Sequence, residues 1–171
     1  MNQGFSEVSV DSLTMNPFAK IGSQWMLVTS GGIDSWNTMT ASWGGLGVIW
    51  HRNVSYVFVR YSRFTYEFME KNNTFTLSFF SEKYREALSY CGSHSGREVD
   101  KTVETGLEPF SSSINSVSFK QAELILVCRK LYAGGINPED FIDPTVQDNY
   151  KTKDYHKMYI GEIEKVLSAG K

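Results

Sequence analysis

Two short runs restrict the fold of this chain more than any other part of it. Residues 73–80 read NTFTLSFF, with Phe75, Leu77 and Phe79 alternating against Thr74, Thr76 and Ser78. Residues 53–60 read NVSYVFVR, rich in Val, Tyr and Phe and without a helix former. A period of two is that of a β-strand with one buried face. Further β-type runs at 24–30, 38–49, 116–119, 122–132 and 156–163 extend the pattern, and glycines 44, 45 and 47 predict a bend or bulge in the second of them. Helices are predicted from 62 or 63 to 71, stopped by Asn72-Asn73, and over 81–90, opened by Ser81 and Glu82. A third, short helix is predicted at 163–167. Strands joined by short helices without regular βαβ alternation predict a mainly β fold, an antiparallel barrel with helical insertions. No Gly-x-Gly-x-x-Gly opens a helix after a strand, so a Rossmann site is unsupported.

The bulk numbers narrow the choice further. A length of 171 residues suits one domain, 1–171, and the Pro- and turn-rich stretch 134–154 reads as an ordered excursion before the last element. Lys and Arg number 17 against 19 Asp and Glu, which argues against a phosphate-driven nucleic-acid binder. A ring-rich barrel that stacks single-stranded nucleic acid is disfavoured on the same ground. Cys91 and Cys128 are too few for a disulfide scaffold, and His51, His94 and His156 are too scattered for structural zinc. The absence of a basic leader followed by an apolar run, and of any apolar stretch of membrane length, leads to the expectation of a cytoplasmic protein with no membrane partner. With 4 Trp, 9 Tyr and 11 Phe, the chain has an aromatic surplus that a core, an interface or a planar ligand must absorb.

Four segments can carry chemistry. WNTMTASWGG at 36–45 sets hydroxyls between two tryptophans; it reads either as a strand with a solvated hydroxyl face or as an edge offered to a polar ligand. RYSRFT at 60–65 brings two arginines and two hydroxyls to a predicted helix start, a donor set suited to phosphate, with Ser62 capping the helix beside solvated arginines as the alternative. CGSHSGREVDK at 91–101 reads as a ligand-closing loop or an ordinary helix-ending turn; Cys91 and His94 lack a third orienting group for nucleophilic catalysis. HKMYIGEI at 156–163 reads as a core strand.

In order along the chain, NTMTASW at 37–43, RYSRFT at 60–65, FTLSFF at 75–80, CGSHSGR at 91–97 with Asp100-Lys101, and HKMYIGEI at 156–163 resemble the flavin reductase-like, FMN-binding split-barrel family, especially its flavoredoxin-type branch. The resemblance spans about residues 20–165. It implies a split-barrel homodimer with FMN near the subunit interface. Asn37, Met39, Thr40, Ala41, Ser42 and Trp43 would then follow the flavin ring and ribityl chain. Arg60, Ser62, Arg63 and Thr65 would hold the phosphate, Phe79 and Phe80 would wall the site, and Ser95, Gly96 and Lys101 would close it. His156 corresponds to a histidine near the nicotinamide in related reductases, although here Asp154-Tyr155 stand where Gly-Asp is usual. Trp50-His51-Arg52 replaces a frequent proline-rich turn. The implied activity passes a hydride from NAD(P)H to FMN and electrons onward to free flavin, a ferric complex, a redox protein or oxygen. The alternative is a non-enzymatic FMN-binding electron carrier or flavin store.

Overall fold

A computed structural model describes residues 4–170. Ten strands are present among them: β1 (Phe5–Val8), β2 (Met26–Gly32), β3 (Ser35–Ala41), β4 (Gly44–Ile49), β5 (Arg52–Arg60), β6 (Thr74–Phe79), β7 (Pro109–Ser113), β8 (Ser116–Phe119), β9 (Leu124–Gly135) and β10 (His156–Ala169). Three α-helices interrupt them: α1 (Phe64–Lys71), α2 (Arg85–Ser93) and α3 (Lys101–Thr105). Hydrogen bonding orders the sheet as β4-β5-β10-β9-β6-β2-β8-β7, with β1 added to β10 and β3 to β2. All pairings are antiparallel except the single bridge between β2 and β8.

One pair of residues forces this sheet to curl. β3 ends paired with β2, at Ala41 opposite Met26, and β4 begins paired with β5, at Gly44 opposite Val57. Between β5 and β2 the sheet passes through β10, β9 and β6. Only Ser42 and Trp43 connect the two sides, and so short a link spans roughly 10 Å at most. The strands must therefore wrap into an incompletely closed barrel. The predicted strand over 38–49 is thus two strands on opposite sides of the opening, and its glycines permit the switch. Gly44, at φ +154°, comes so close to Tyr56 that an added Cβ would lie 2.6 Å from the Tyr56 carbonyl oxygen.

The period of two sorts the core. Met26 and Val28 join Phe75, Leu77, Phe79, Leu126, Cys128 and Tyr159 in one buried cluster, which also takes Met69 from α1. Leu27, Phe80, Ile125 and Val127 face the other way, against Leu88 and Cys91 of α2 and Phe110 and Phe119 of the β7–β8 hairpin. Alternation along a strand places consecutive residues on opposite faces of the sheet.

Two sequence-based expectations change. The 163–167 segment is strand, because β10 continues to Ala169 between β9 on one side and β1 on the other, with Val166 and Leu167 buried. Pairing on both edges outweighs its local helix propensity. The helix expected over 81–90 begins as a 3-10 turn, Glu82–Tyr84, and continues as α2 through Ser93, so Cys91 lies on the helix, not after it. No helix among the described residues is long and apolar enough to cross a membrane.

Candidate functional site

A cleft opens where β5 runs into α1. The last β5 residue, Arg60, pairs with His156 at the start of β10, so an arginine and a histidine stand side by side. Ser62 and Arg63 follow in a turn closed by the Arg63 N–H donating to the Arg60 carbonyl at 3.1 Å. Helix α1 begins at Phe64 with Arg63 as its cap and no side-chain capping bond, so the alternative reading of Ser62 as the helix cap is not realised. α1 is held from its far end: Tyr159 Oη and Lys157 Nζ, both on β10, donate to the two Glu70 oxygens at 2.7 Å each.

The larger cavity, of about 780 Å³, is lined by Asn37, Met39, Arg60, Ser62, Arg63 and Thr65 on one bank and by Ser95, Gly96 and Lys101 on the next. The third bank is the excursion between β9 and β10, which supplies Asp148, Asn149, Lys151, Thr152 and Asp154. Five basic side chains against three acidic ones line it, which leaves a positive surplus. A smaller cavity of about 220 Å³ is formed by Met39, Thr40, Ala41, Ser42, Trp43, Phe58 and His156, and shares Met39, Arg60 and Arg63 with the first. The larger volume is within the few hundred to about 1,000 Å³ usual for ligand sites.

Three buried polar groups give the cleft its character. Lys101 Nζ donates to the carbonyls of Thr38 and Cys91 at 2.7 Å each, and burial, helped by Arg63, pulls its ammonium down to about 8 against the opposing pull of Cys91. Asn37 Nδ2 donates to Thr65 Oγ1 at 2.7 Å, tying β3 to α1. Gly96 packs on that asparagine so closely that a Cβ would lie 2.0 Å from Asn37 Oδ1. His156 is the third. Its Nδ1 lies 3.0 Å from Tyr150 Oη, and its ring centroid lies 4.9 Å from that of Trp43. Burial, together with Arg60 and Arg63, pulls the imidazolium down to about 4, although Asp154 opposes this. His156 is therefore neutral at physiological pH.

Nearly all the residues singled out from the sequence meet here. Phe79 and Phe80 do not: both are buried and packed into the two clusters on opposite faces of the sheet, and neither lines a cavity of the cleft. Strand β6 is central, so both of its faces are covered. Phe58 stands on the ligand-facing wall instead. Its signal was its spacing: two residues before Arg60 on the same strand, it shares that residue's face. Tyr150, which meets His156 from the excursion, carried no motif, and Asp154, which lines the cleft, was marked only by its departure from Gly-Asp. The Cys91–His94 pair is not assembled for nucleophilic chemistry. The Cys91 thiol is buried and pushed up to about 11 by desolvation, against the pull of Lys101, while the His94 ring stacks on Tyr90 at 3.9 Å.

The model of the flavin reductase like domain matches residues 18–170. No curated protein matches. Among solved structures, an FMN-binding domain of flavin reductases-like enzyme from Shewanella baltica superposes with a TM-score of 0.67 at 15% identity, over 99% of this chain and 79% of that one. Flavoredoxin of Desulfovibrio vulgaris gives 0.66 at 22% identity, over 95% and 76%. A Streptomyces globisporus NADH:FAD oxidoreductase gives 0.60 at 16% identity, over 85% and 75%. At these identities the likeness is one of fold, but the domain match covers most of the sequence. On that match, the chain belongs to the flavin reductase-like domain family.

Proposed function

We propose that the cleft holds FMN and that the protein is an NAD(P)H-dependent flavin oxidoreductase. The observation that carries this reading is the pairing of two unlike cavities. One is lined by arginines and hydroxyls, the other by Trp43, Phe58 and His156, and they share Met39, Arg60 and Arg63. An amphipathic ligand with an anionic tail and a planar head fits such a pair. Arg60, Arg63, Ser62 and Thr65 are the donors for the phosphate, since charge-assisted bonds from guanidinium to phosphate are short and strong. Met39 to Trp43, Phe58 and His156 would border the ring. Lys101 would add a positive charge near the flavin, and an anion beside it would favour the charged ammonium against the burial that lowers it to about 8. When bound, FMN would supply the two-electron chemistry that links a nicotinamide to an acceptor such as free flavin, a ferric complex, a redox protein or oxygen. The protein binds, orients and shields, and no acid or base from the chain is obligatory for hydride transfer to the ring. The same reading includes a cytoplasmic setting, a one-domain protein and a homodimer, with exposed Val48, Trp50 and Phe18 as apolar surface for the second copy to cover.

A second reading keeps FMN but makes the protein an electron carrier. It is favoured by the confinement of His156, only 7% exposed and tied to Tyr150, which leaves the imidazole little freedom to meet a nicotinamide. One experiment separates the two. Protein loaded with FMN is mixed anaerobically with NADH and with NADPH, and its visible flavin band is followed. Bleaching at the rate of turnover supports the reductase, and loading without bleaching supports the carrier. Failure to take up FMN defeats both. Arg60→Ala and Arg63→Ala should each weaken FMN binding by about tenfold or more, the worth of one charge-assisted bond.

A further inference from the structure

The excursion between β9 and β10 bridges the cleft through directed polar contacts. Asp154 Oδ2 accepts from the Ser62 hydroxyl at 2.6 Å, and Oδ1 accepts from the Ser62 main-chain N–H at 3.3 Å. Arg60 Nη1 donates to the Asp154 carbonyl at 2.6 Å and Nη2 to the Asn149 carbonyl at 3.1 Å. Of the four residues proposed to hold a phosphate, Arg60 and Ser62 are therefore engaged by the excursion, while Arg63 Nη1 donates to the Gly92 carbonyl at 2.6 Å and Thr65 Oγ1 accepts from Asn37. The contact on Ser62 has the form of a bound anion, two carboxylate oxygens accepting from an N–H and an O–H.

A terminal phosphate that reached Ser62 would have to displace the Asp154 carboxylate or lie beside a like charge. A flavin without phosphate meets neither demand. The ring end of the cleft, formed by Met39, Trp43, Phe58 and His156, does not include Asp154, so ring contacts are common to both kinds of flavin. We infer that Asp154 determines flavin selectivity: its carboxylate acts as a built-in anion on Ser62 and narrows the preference of the site for FMN over riboflavin. This rests on the reading of the cleft as a flavin site. The duller account makes Asp154 a staple that fixes the excursion. In that case its removal changes access or stability for every flavin alike, and the ratio of affinities does not move.

The test measures dissociation constants for FMN and for riboflavin separately, by quenching of flavin fluorescence, on the full chain freed of flavin. Asp154→Asn keeps the shape and an acceptor oxygen and removes the charge, while Asp154→Ala removes both. Each should tighten FMN by about tenfold, equivalent to about 1.4 kcal/mol, and leave riboflavin within about twofold. Ser62→Ala in the Asp154→Asn background should abolish the gain, because the two residues act as one unit. Asp148→Asn serves as the charge control. Asp148 lines the cleft but makes no hydrogen bond to Ser62 or Arg60, so its effect on FMN should stay under about threefold. Unchanged FMN affinity in both Asp154 variants overturns the inference while the flavin site stands. So does equal tightening of both flavins, or an equal gain from Asp148→Asn. If neither flavin binds to the parent or to any variant, the flavin reading falls first and takes the inference with it.

Discussion

The two long banks of the cleft are built by different means. On one, Arg60 closes a ladder that runs from His156 opposite Arg60 to Glu162 opposite Val54, and α1 is fixed to the same strands through Glu70. On the other, the excursion has only short 3-10 turns, Pro138–Asp140 and Pro144–Tyr150. It is held by side chains: Phe141 stacks on Tyr150 at 5.9 Å, Gln147 Nε2 donates to Tyr155 Oη at 3.1 Å, and Tyr150 contacts His156. A ladder distributes its restraint over many backbone bonds, whereas a bank of this kind depends on a few contacts that a ligand can exchange. Local stability follows the density of buried contacts, so the wall is expected to open only with global unfolding and the excursion at lower free energy.

The largest effect should come from the wall. Phe75 is fully buried, and its ring fills the space over Gly161, where an added Cβ would lie 2.6 Å from the ring. Phe75→Ala should lower unfolding stability by about 3–5 kcal/mol, since the strands around it cannot collapse into the gap. Urea denaturation measures this. A loss below about 1 kcal/mol would mean that the wall yields as readily as the excursion, and the contrast would be gone.

The same contrast governs what could be read from the sequence. The alternation of 53–60 and 73–80 located β5 and β6 to within a residue, because a one-residue shift would exchange Phe75 and Leu77 with Thr76 and Ser78 between the two faces of the sheet. The donor cluster at 60–65 was legible because its chemistry is local. Phe79 and Phe80 were assigned to the site by motif, yet a central strand buries both its faces, and that depends on neighbours distant in sequence. Asp154 was legible only as a departure at the position before Tyr155. Its contact with Ser62 joins residues 92 apart through an irregular segment, and no periodicity encodes that.

His156 is where the excursion rejoins the wall, and pH probes that junction. Its folded value of about 4 lies below the ordinary 6.5. Between these values the unfolded chain binds the additional proton, so stability should rise as pH increases from about 4 to about 6.5 and level off above. Relative to His156→Gln, the parent should lose about 2 kcal/mol over that window as pH falls, with allowance for screening by the open cleft. Parallel denaturation curves for the two proteins from pH 7 to 4 would show that the imidazole is free to leave Tyr150 and meet water.

The remaining bank, the loop that carries Ser95 and Gly96, offers a smaller test. Gly96→Ala brings a Cβ against Asn37 Oδ1, and relief requires moving the amide that donates to Thr65. A loss of about 1–2 kcal/mol is expected, against almost none for Gly22→Ala, where nothing lies within 4 Å. Equal costs would mean that this loop, like the excursion, adjusts freely.

The smallest expected effect comes from a part of the wall that breaks the wall's own rules. Ile49 pairs with Arg52, so Trp50 and His51 form the whole β4–β5 turn, at φ +54° and +57°. Two positive φ values define the turn in which Asn-Gly is strongly preferred, and a Trp-His pair carries strain there. Trp50 is 53% exposed in the isolated chain, so little burial is lost by replacing it. The double change Trp50→Asn, His51→Gly should therefore stabilise the fold by about 1 kcal/mol, strain relief being partly offset by the added freedom of glycine in the unfolded chain. Thermal denaturation and sedimentation of the same samples check it together. A stabilised protein of unchanged size would show that the turn is only a strained connection. A destabilised or smaller species would show that the indole is held by a second copy, and that the strain is retained for the contact it presents.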